Sequence, residues 1–409
     1  MLEKKENDPM PAAHPVEDLN LLRVDQVGSL VVPADLAAAS DRRLRGEMSE
    51  SELRETEDKA IRAVMRKQEQ IGLPILTDGE FRRRNFQDSF GNAVSGYDTP
   101  SLTGAGFRDP QTWRDPNKPG SRTEPNYEAA GPAIATRRAT VERLKLKKNV
   151  VLDEYKAAAA MTQRPVKVSL IGPDRIAQRF AWEKSKAVYS GLDEFIADVV
   201  AIQRKMIGEL VEAGCRYVHM DAPGFTAYVD KVSLERMKAR GEDPEQNLDR
   251  AIRAENAVID GFPGVTFGLH ICRGNPRGVD ASGKVQAQWH REGHYDSIAE
   301  KLFSGLKHQR LLLEYDSERA GSFDALRFVR KGAVAVLGVV TTKSEQIEQV
   351  DAMKRRVEMA AKYLPVEQLA VSPQCGFSSG IGVPQLSEDA EWRKFEILIK
   401  TAEAVWGHV

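Results

Sequence analysis

Seven residues of this 409-residue chain have the types and the placement to do chemistry together: His270 and Cys272 in "GLHICRG", Glu314 in "LEYD", Cys375 in "SPQCG", and the oxygen donors Ser29, Glu80 and Asp221. His270 and Cys272 sit two apart at the end of the apolar run Val265–Leu269, and alternate residues of an extended strand share one side. Two thiolates, an imidazole and a carboxylate make a tetrahedral donor set that suits Zn2+, whereas magnesium and calcium take oxygen. Each residue alone reads more simply: Cys272 and Cys375 as small buried hydrophobes, His270 as a core histidine. All four at the ends of strands favour a shared metal. Their spread from position 270 to position 375 means that they meet only once the fold has formed.

A zinc ion that binds a thiol lowers its pKa and keeps it as thiolate at neutral pH, and that sulfur can attack an alkyl carbon. The chemistry implied is alkyl transfer to sulfur. Glu80 and Asp221 would supply two carboxylates for an ammonium group, and Ser29 with an adjacent backbone amide could hold a carboxylate, so the pocket fits an amino-acid thiol. The alternative for Glu80 is an ion pair with one of Arg82–Arg84.

These residues need elements to position them. Eight short apolar or β-branched segments recur, most followed by helical sequence: Val24–Leu30, Pro74–Phe81, Val166–Pro173, Cys215–Pro223, Val265–Arg273, Leu311–Asp316, Val334–Lys343 and Leu369–Gly376. That rhythm predicts βα units and a parallel sheet. Helices are expected over Ser49–Gln70, Leu192–Ala213, Pro244–Asp260, Ser344–Tyr363 and Asp389–Trp406. Eight strands predict an α/β fold of the (β/α)8 TIM-barrel class, in which chemistry collects at the C-terminal strand ends. Residues 82–165 are too long for a loop and predict an inserted subdomain between strands 2 and 3. Residues 1–20 read as a disordered tail and 21–409 as one zinc-binding barrel. Cys215 begins its strand, at the opposite end, and reads as core.

Composition narrows the classes. A net charge of −1 with interspersed signs gives no footprint for nucleic acid or an anionic membrane. No stretch approaches the ~20 apolar residues of a transmembrane helix, and the N-terminal sequence lacks the apolar core of a signal peptide, so a cytoplasmic location is expected. Three cysteines make no disulfide framework. "HREGH" places His290 and His294 at helical spacing, but it lacks an apolar stripe and Arg291 stands where a zincin has glutamate. "LTGAG" at 102–106 reads as a turn, and neither a phosphate loop nor a G-x-S-x-G elbow is present.

The ordered set "DQVGSL", "LTDGEF", "HMDAP", "HICRGN", "LEYD" and "SPQCG" resembles the catalytic barrel of cobalamin-independent methionine synthase, and more closely its short single-barrel relatives. The resemblance covers most of residues 21–409. It implies a zinc-dependent methyltransferase that makes methionine, with His270, Cys272, Glu314 and Cys375 as zinc ligands and Ser29, Glu80 and Asp221 holding homocysteine. Full-length synthases carry a second barrel that helps bind a polyglutamylated folate, for which this chain has no room. They also place a histidine after the seventh strand, where this chain has Thr341, Thr342 and Lys343, and often a second acid where it has Ala222. Donors consistent with these departures are a methylated corrinoid or its methyl-carrier protein, a small methylated metabolite, or a folate with a short tail. Epoxyalkane:coenzyme M transferases resemble the same zinc signature, so epoxide opening by another thiol is the alternative reaction, and a non-catalytic metal-binding barrel the alternative outside enzymes.

Overall fold

The computed structural model describes residues 18–83, 88–98, 138–273, 291–378 and 386–409. Two strands, β1 (Val94–Tyr97) and β2 (Thr140–Leu146), pair antiparallel within the 82–165 insertion. Six more form a parallel sheet in sequence order: β3 (Lys167–Ile171), β4 (Tyr217–Asp221), β5 (Thr266–Ile271), β6 (Arg310–Leu313), β7 (Val334–Val340) and β8 (Leu369–Pro373). The molecule is a mixed α/β protein with helices connecting parallel strands.

Every residue of β3 to β8 except Asp221 is buried, as expected of a parallel sheet covered on both faces. The two faces differ in chemistry. Val168 and Leu170, Val218 and Met220, Phe267 and Leu269, and Leu311 and Leu313 belong to the main apolar core with the surrounding helices. The alternate residues Lys167, Ser169, Tyr217, His219, Asp221, His270 and Arg310 point the other way, as a period of two requires. Toward β7 and β8 this second face turns apolar, where Val27, Leu312, Val334, Val336 and Ala370 form a small cluster.

The first two expected strands are each reduced to a single parallel bridge, Val24 to Val371 of β8 and Leu76 to Val166 before β3. Hydrogen bonds from Asp25 N to Val371 O (2.9 Å) and from Val371 N to Arg23 O (2.8 Å) bracket the first; those from Leu76 N to Pro165 O (3.0 Å) and from Lys167 N to Leu76 O (2.9 Å) bracket the second. Backbone geometry explains the shortening, because Gly28, Gly79 and Glu80 all have positive φ and leave the extended region. Side chains do part of the joining between these two segments: Gln26 Nε2 donates to Ile75 O (2.7 Å) and Thr77 Oγ1 to Gly28 O (2.8 Å).

The helices follow expectation where their signals are strong. Glu50–Gln70 starts on a capping box built by Ser49 and Glu52, and Leu192–Glu212, Pro244–Ile259 and Glu388–Trp406 lie within two residues of their predicted bounds. The helix expected from Ser344 begins only at Val350. Residues 1–17 of the expected tail, His290, "LTGAG" and residues 99–137 of the insertion lie outside the described residues. No helix among those described is long and apolar enough to cross a membrane.

Asp25, on the first bridged segment, is the anchor of the polar face. Its carboxylate accepts from Lys167 Nζ (2.7 Å), Tyr217 Oη (2.6 Å) and Arg310 Nε (2.8 Å), joining that segment to β3, β4 and β6. Burial alone would raise the Asp25 pKa, but the two cations outweigh it and hold the group below its ordinary range. A depressed carboxylate stabilises the folded state above its unfolded pKa of about 4 and ceases to do so as pH falls toward the folded value. Asp25→Asn should therefore cost about 3–5 kcal/mol at pH 7. Urea titrations between pH 3 and 7 check this: the gap between parent and variant must narrow on acidification, and a constant gap contradicts the assignment.

Candidate metal centre and thiol site

The end of β5 carries His270, and Cys272 follows it by two residues. Glu314 is the first residue after β6, and Cys375 comes two after β8. One ligand atom from each of these four buried residues lies within 4.8 Å of all the others, and this is the one such cluster of three or more among the described residues. Zinc with bonds of about 2.0–2.3 Å spaces its tetrahedral ligands by roughly 3.3–3.8 Å, slightly tighter than this.

The second bonds of these side chains are already assigned. His270 Nδ1 lies 2.8 Å from Asp221 Oδ1; since a carboxylate only accepts, Nδ1 carries the proton and Nε2 faces the cluster. Asp221 thus has an orienting job in addition to any contact with a ligand, the arrangement usual behind metal-binding histidines. The parallel register produces it, because Asp221 of β4 is paired directly with His270 of β5. Glu314 Oε2 accepts the Arg273 backbone N–H at 2.7 Å. What remains are His270 Nε2 and Glu314 Oε1, 3.4 Å apart, both buried and neither in a hydrogen bond among the described residues. Buried polar atoms are rarely left so, and a cation between them satisfies both. The donor set therefore fits a metal ion.

Without a metal the cluster is strongly polarised. Burial disfavours the imidazolium, yet Cys375, Asp221 and Glu314 together raise His270 well above its ordinary pKa. Burial would raise Glu314, but His270 brings it down to about 2. A hydrogen bond shared with Cys272 lowers Cys375, while the same bond together with burial pushes Cys272 well up. His219 on β4 stacks against His270 with ring centroids 6.2 Å apart, and burial, reinforced by Lys167, lowers it far enough to remain neutral.

The three oxygen donors lie around this cluster. Ser29 packs on the Cys375–Gly376 turn so closely that a Cβ on Gly376 would stand 2.0 Å from Ser29 Oγ, and Phe377 N donates to Ser29 O. Glu80 lies against Gly28, where a Cβ would come within 3.2 Å of Oε1. Burial raises Glu80, and Asp221 is close enough to add to that rise. Glu80 also makes the arginine contact that its sequence allows, with Arg83 Nη1 at 3.4 Å. After β7, Thr341 N donates to Glu348, Thr342 Oγ1 donates to Gln374 Oε1, and Lys343 exerts a lowering effect on both Cys375 and Glu314. Cys215 is buried at the start of β4, where burial lifts its thiol to about 12.

Sequence reasoning did not single out Asp25, Glu154, Ser169 or the orienting role of Asp221, and it named Arg83 only within the run Arg82–Arg84. Lys167, Ser169, Tyr217 and His219 carried a usable signal, being polar residues at alternate positions of otherwise buried strands.

The model for the catalytic domain of cobalamin-independent synthases matches residues 24–105 and 303–381, which include Ser29, Glu80, Glu314 and Cys375. An uncharacterised Bacillus subtilis protein, YxjH, is 32% identical over 94% of both chains. This chain belongs to the cobalamin-independent methionine synthase family. Within that family, a methionine synthase of Pyrococcus abyssi is 26% identical over 88% of this chain and 87% of its own. The solved structure of a B12-independent methionine synthase from Shewanella sp. W3-18-1, a complex with selenomethionine, shares the fold at a TM-score of 0.67, with 20% identity over 94% of this chain and 98% of that one.

If Asp221 orients His270, then Asp221→Ala should weaken zinc binding about 10–100-fold with all four ligand side chains intact. Competition against a chromophoric chelator measures this, and an unchanged affinity would show that His270 needs no such support.

Proposed function

We propose that the chain is a zinc-dependent thiol methyltransferase that converts homocysteine to methionine. The observation that carries this reading is the convergence of His270 Nε2, Glu314 Oε1 and two cysteine thiols, with the first two otherwise unsatisfied. A zinc ion held by His270, Cys272, Glu314 and Cys375 would supply the positive charge that keeps a bound thiol deprotonated at neutral pH. Family membership supports methyl transfer as the reaction class. We further take the fold to be a (β/α)8 barrel with a subdomain inserted between strands 2 and 3; the two parallel bridges and the contacts of Asp25 across one face of the sheet support that closure.

In this reading the protein side chains recognise the amino-acid part of the thiol. Glu80 and the second oxygen of Asp221 receive the ammonium group, and Ser29 receives the carboxylate beside Cys375. Asp221 also keeps the Nδ1 proton of His270 in place, so the ring presents its lone pair to the metal. Burial of all four ligands excludes bulk water from the sulfur. Lys343 occupies the end of β7, where it brings positive charge close to Cys375 and Glu314 and offers no imidazole to protonate a leaving group.

Three measurements test the reading. X-ray absorption at the zinc edge should show one additional sulfur neighbour when homocysteine is added, and an unchanged shell argues against the thiol. Glu80→Gln should weaken homocysteine by at least about 1.5 kcal/mol, roughly tenfold, with zinc content unaltered. Cys375→Ala should lose zinc and turnover together while circular dichroism stays that of the parent; a variant that instead unfolds assigns the metal a structural role.

A further inference from the structure

Glu80 is the end of a buried chain of side chains that begins in the insertion. Glu154 lies on the helix Val150–Ala159, between β2 and β3. It accepts a two-pronged contact from Arg83, at 3.0 Å from Nε and 2.6 Å from Nη2. Arg83 Nη2 also donates to Ser169 O (2.8 Å), and Nη1 donates to Ser169 Oγ (2.8 Å). Because that hydroxyl oxygen accepts from Arg83, its own proton is directed elsewhere, and it donates to Glu80 Oε1 in a short hydrogen bond. Direct contact between Arg83 and Glu80 is the longest arm of the fork, at 3.4 Å.

Both hydrogen bonds to the Glu80 carboxylate use Oε1, which leaves Oε2 without one among the described residues. The backbone reinforces the aim. Glu80 is the one non-glycine residue with positive φ among those described (+58°), and its N–H is caught by Asp78 Oδ1 at 2.9 Å. Such strain persists only where the surroundings impose it. Other nearby cations are taken up elsewhere: Arg82 by Glu57 and Asp58, Lys167 by Asp25. Asp78, Glu80 and Glu154 thus gather around Arg83, whose bidentate face is turned to Glu154. A cation arriving at Oε2 meets a carboxylate that Arg83 has not neutralised.

We propose that Glu154, acting through Arg83 and Ser169, is a positioning residue that holds Glu80 open to a ligand ammonium, so that the insertion makes the chain selective for thiols bearing an amino group. The inference rests on the reading of Glu80 as an ammonium site. Its test is Glu154→Gln, which keeps the shape and an acceptor for Arg83 while removing the charge, with Ser169→Ala as an independent cut in the same chain. Zinc-loaded parent and variants are titrated calorimetrically with homocysteine and with 4-sulfanylbutanoate, which lacks the amino group. Zinc content and melting temperature verify that each variant is folded and loaded.

Both variants are expected to weaken homocysteine about tenfold and the amino-free thiol by less than about twofold. Variants that keep the parent's preference, or that weaken both thiols equally, overturn the relay and leave the ammonium site standing. A parent that binds the two thiols equally well removes the ammonium site itself, and the relay with it.

Discussion

The fold depends on one buried carboxylate. The segment around Val24 has a single bridge to β8 and no ladder, so strand pairing alone would let it slip. Asp25 prevents this by accepting from Lys167, Tyr217 and Arg310, residues that enter from three different strands. A buried ion pair adds little net stability over an apolar core, but breaking it strands uncompensated charge, and that penalty is what excludes other registers. Gly28 and Ser29 lie three and four residues further on. Their seats beside Glu80 and on Gly376 are therefore set from the opposite end of the sheet.

The polar face of the sheet is graded in charge. Arg310 and Lys167 surround Asp25 at one end, His219 stays neutral between, and Glu80, Asp221, Glu314 and Cys375 gather at the other. Carboxylates and thiols massed in a buried site are costly, and the groups relieve that cost by protonation, by cation binding, or both. Among the four clustered side chains the shifts run in opposite directions, upward for His270 and Cys272 and downward for Cys375 and Glu314. A divalent ion held there would offset these groups with one compact charge.

The four converging residues were legible because their signal is local and periodic. His270 and Cys272 alternate at the end of an apolar run, and Glu314 and Cys375 each follow another such run, so strand direction alone points them to one end. The first two strands were overextended, since their apolar residues run past the positive-φ positions Gly28, Gly79 and Glu80. Glu154 was illegible for a different reason. It sits on an ordinary amphipathic helix 71 residues from Arg83, and no period or spacing links the two. Asp221 was legible as a carboxylate at a strand end, but the direct pairing of β4 with β5 that gives it to His270 belongs to the register.

Several departures from local rules gather at this site, although other buried polar atoms, among them both carboxylate oxygens of Glu255 and both ring nitrogens of His308, also lack hydrogen bonds among the described residues. The positive φ of Glu80, and His270 Nε2, Glu314 Oε1 and the ring nitrogens of His219, which have no hydrogen bond among the described residues, all lie toward the acidic end of one sheet face or directly beneath it. Elsewhere the same face is ordinary: Leu312, Val334 and Val336 pack with Val27 and Ala370 as a conventional apolar core. Backbone strain and unsatisfied polar atoms beside four converging side chains fit a preorganised site, in which strain and desolvation are carried by the folded scaffold before any ligand arrives. The rigidity of β3 to β6, which place Ser169, Asp221, His270 and Glu314 through continuous parallel pairing, is what allows that cost to persist.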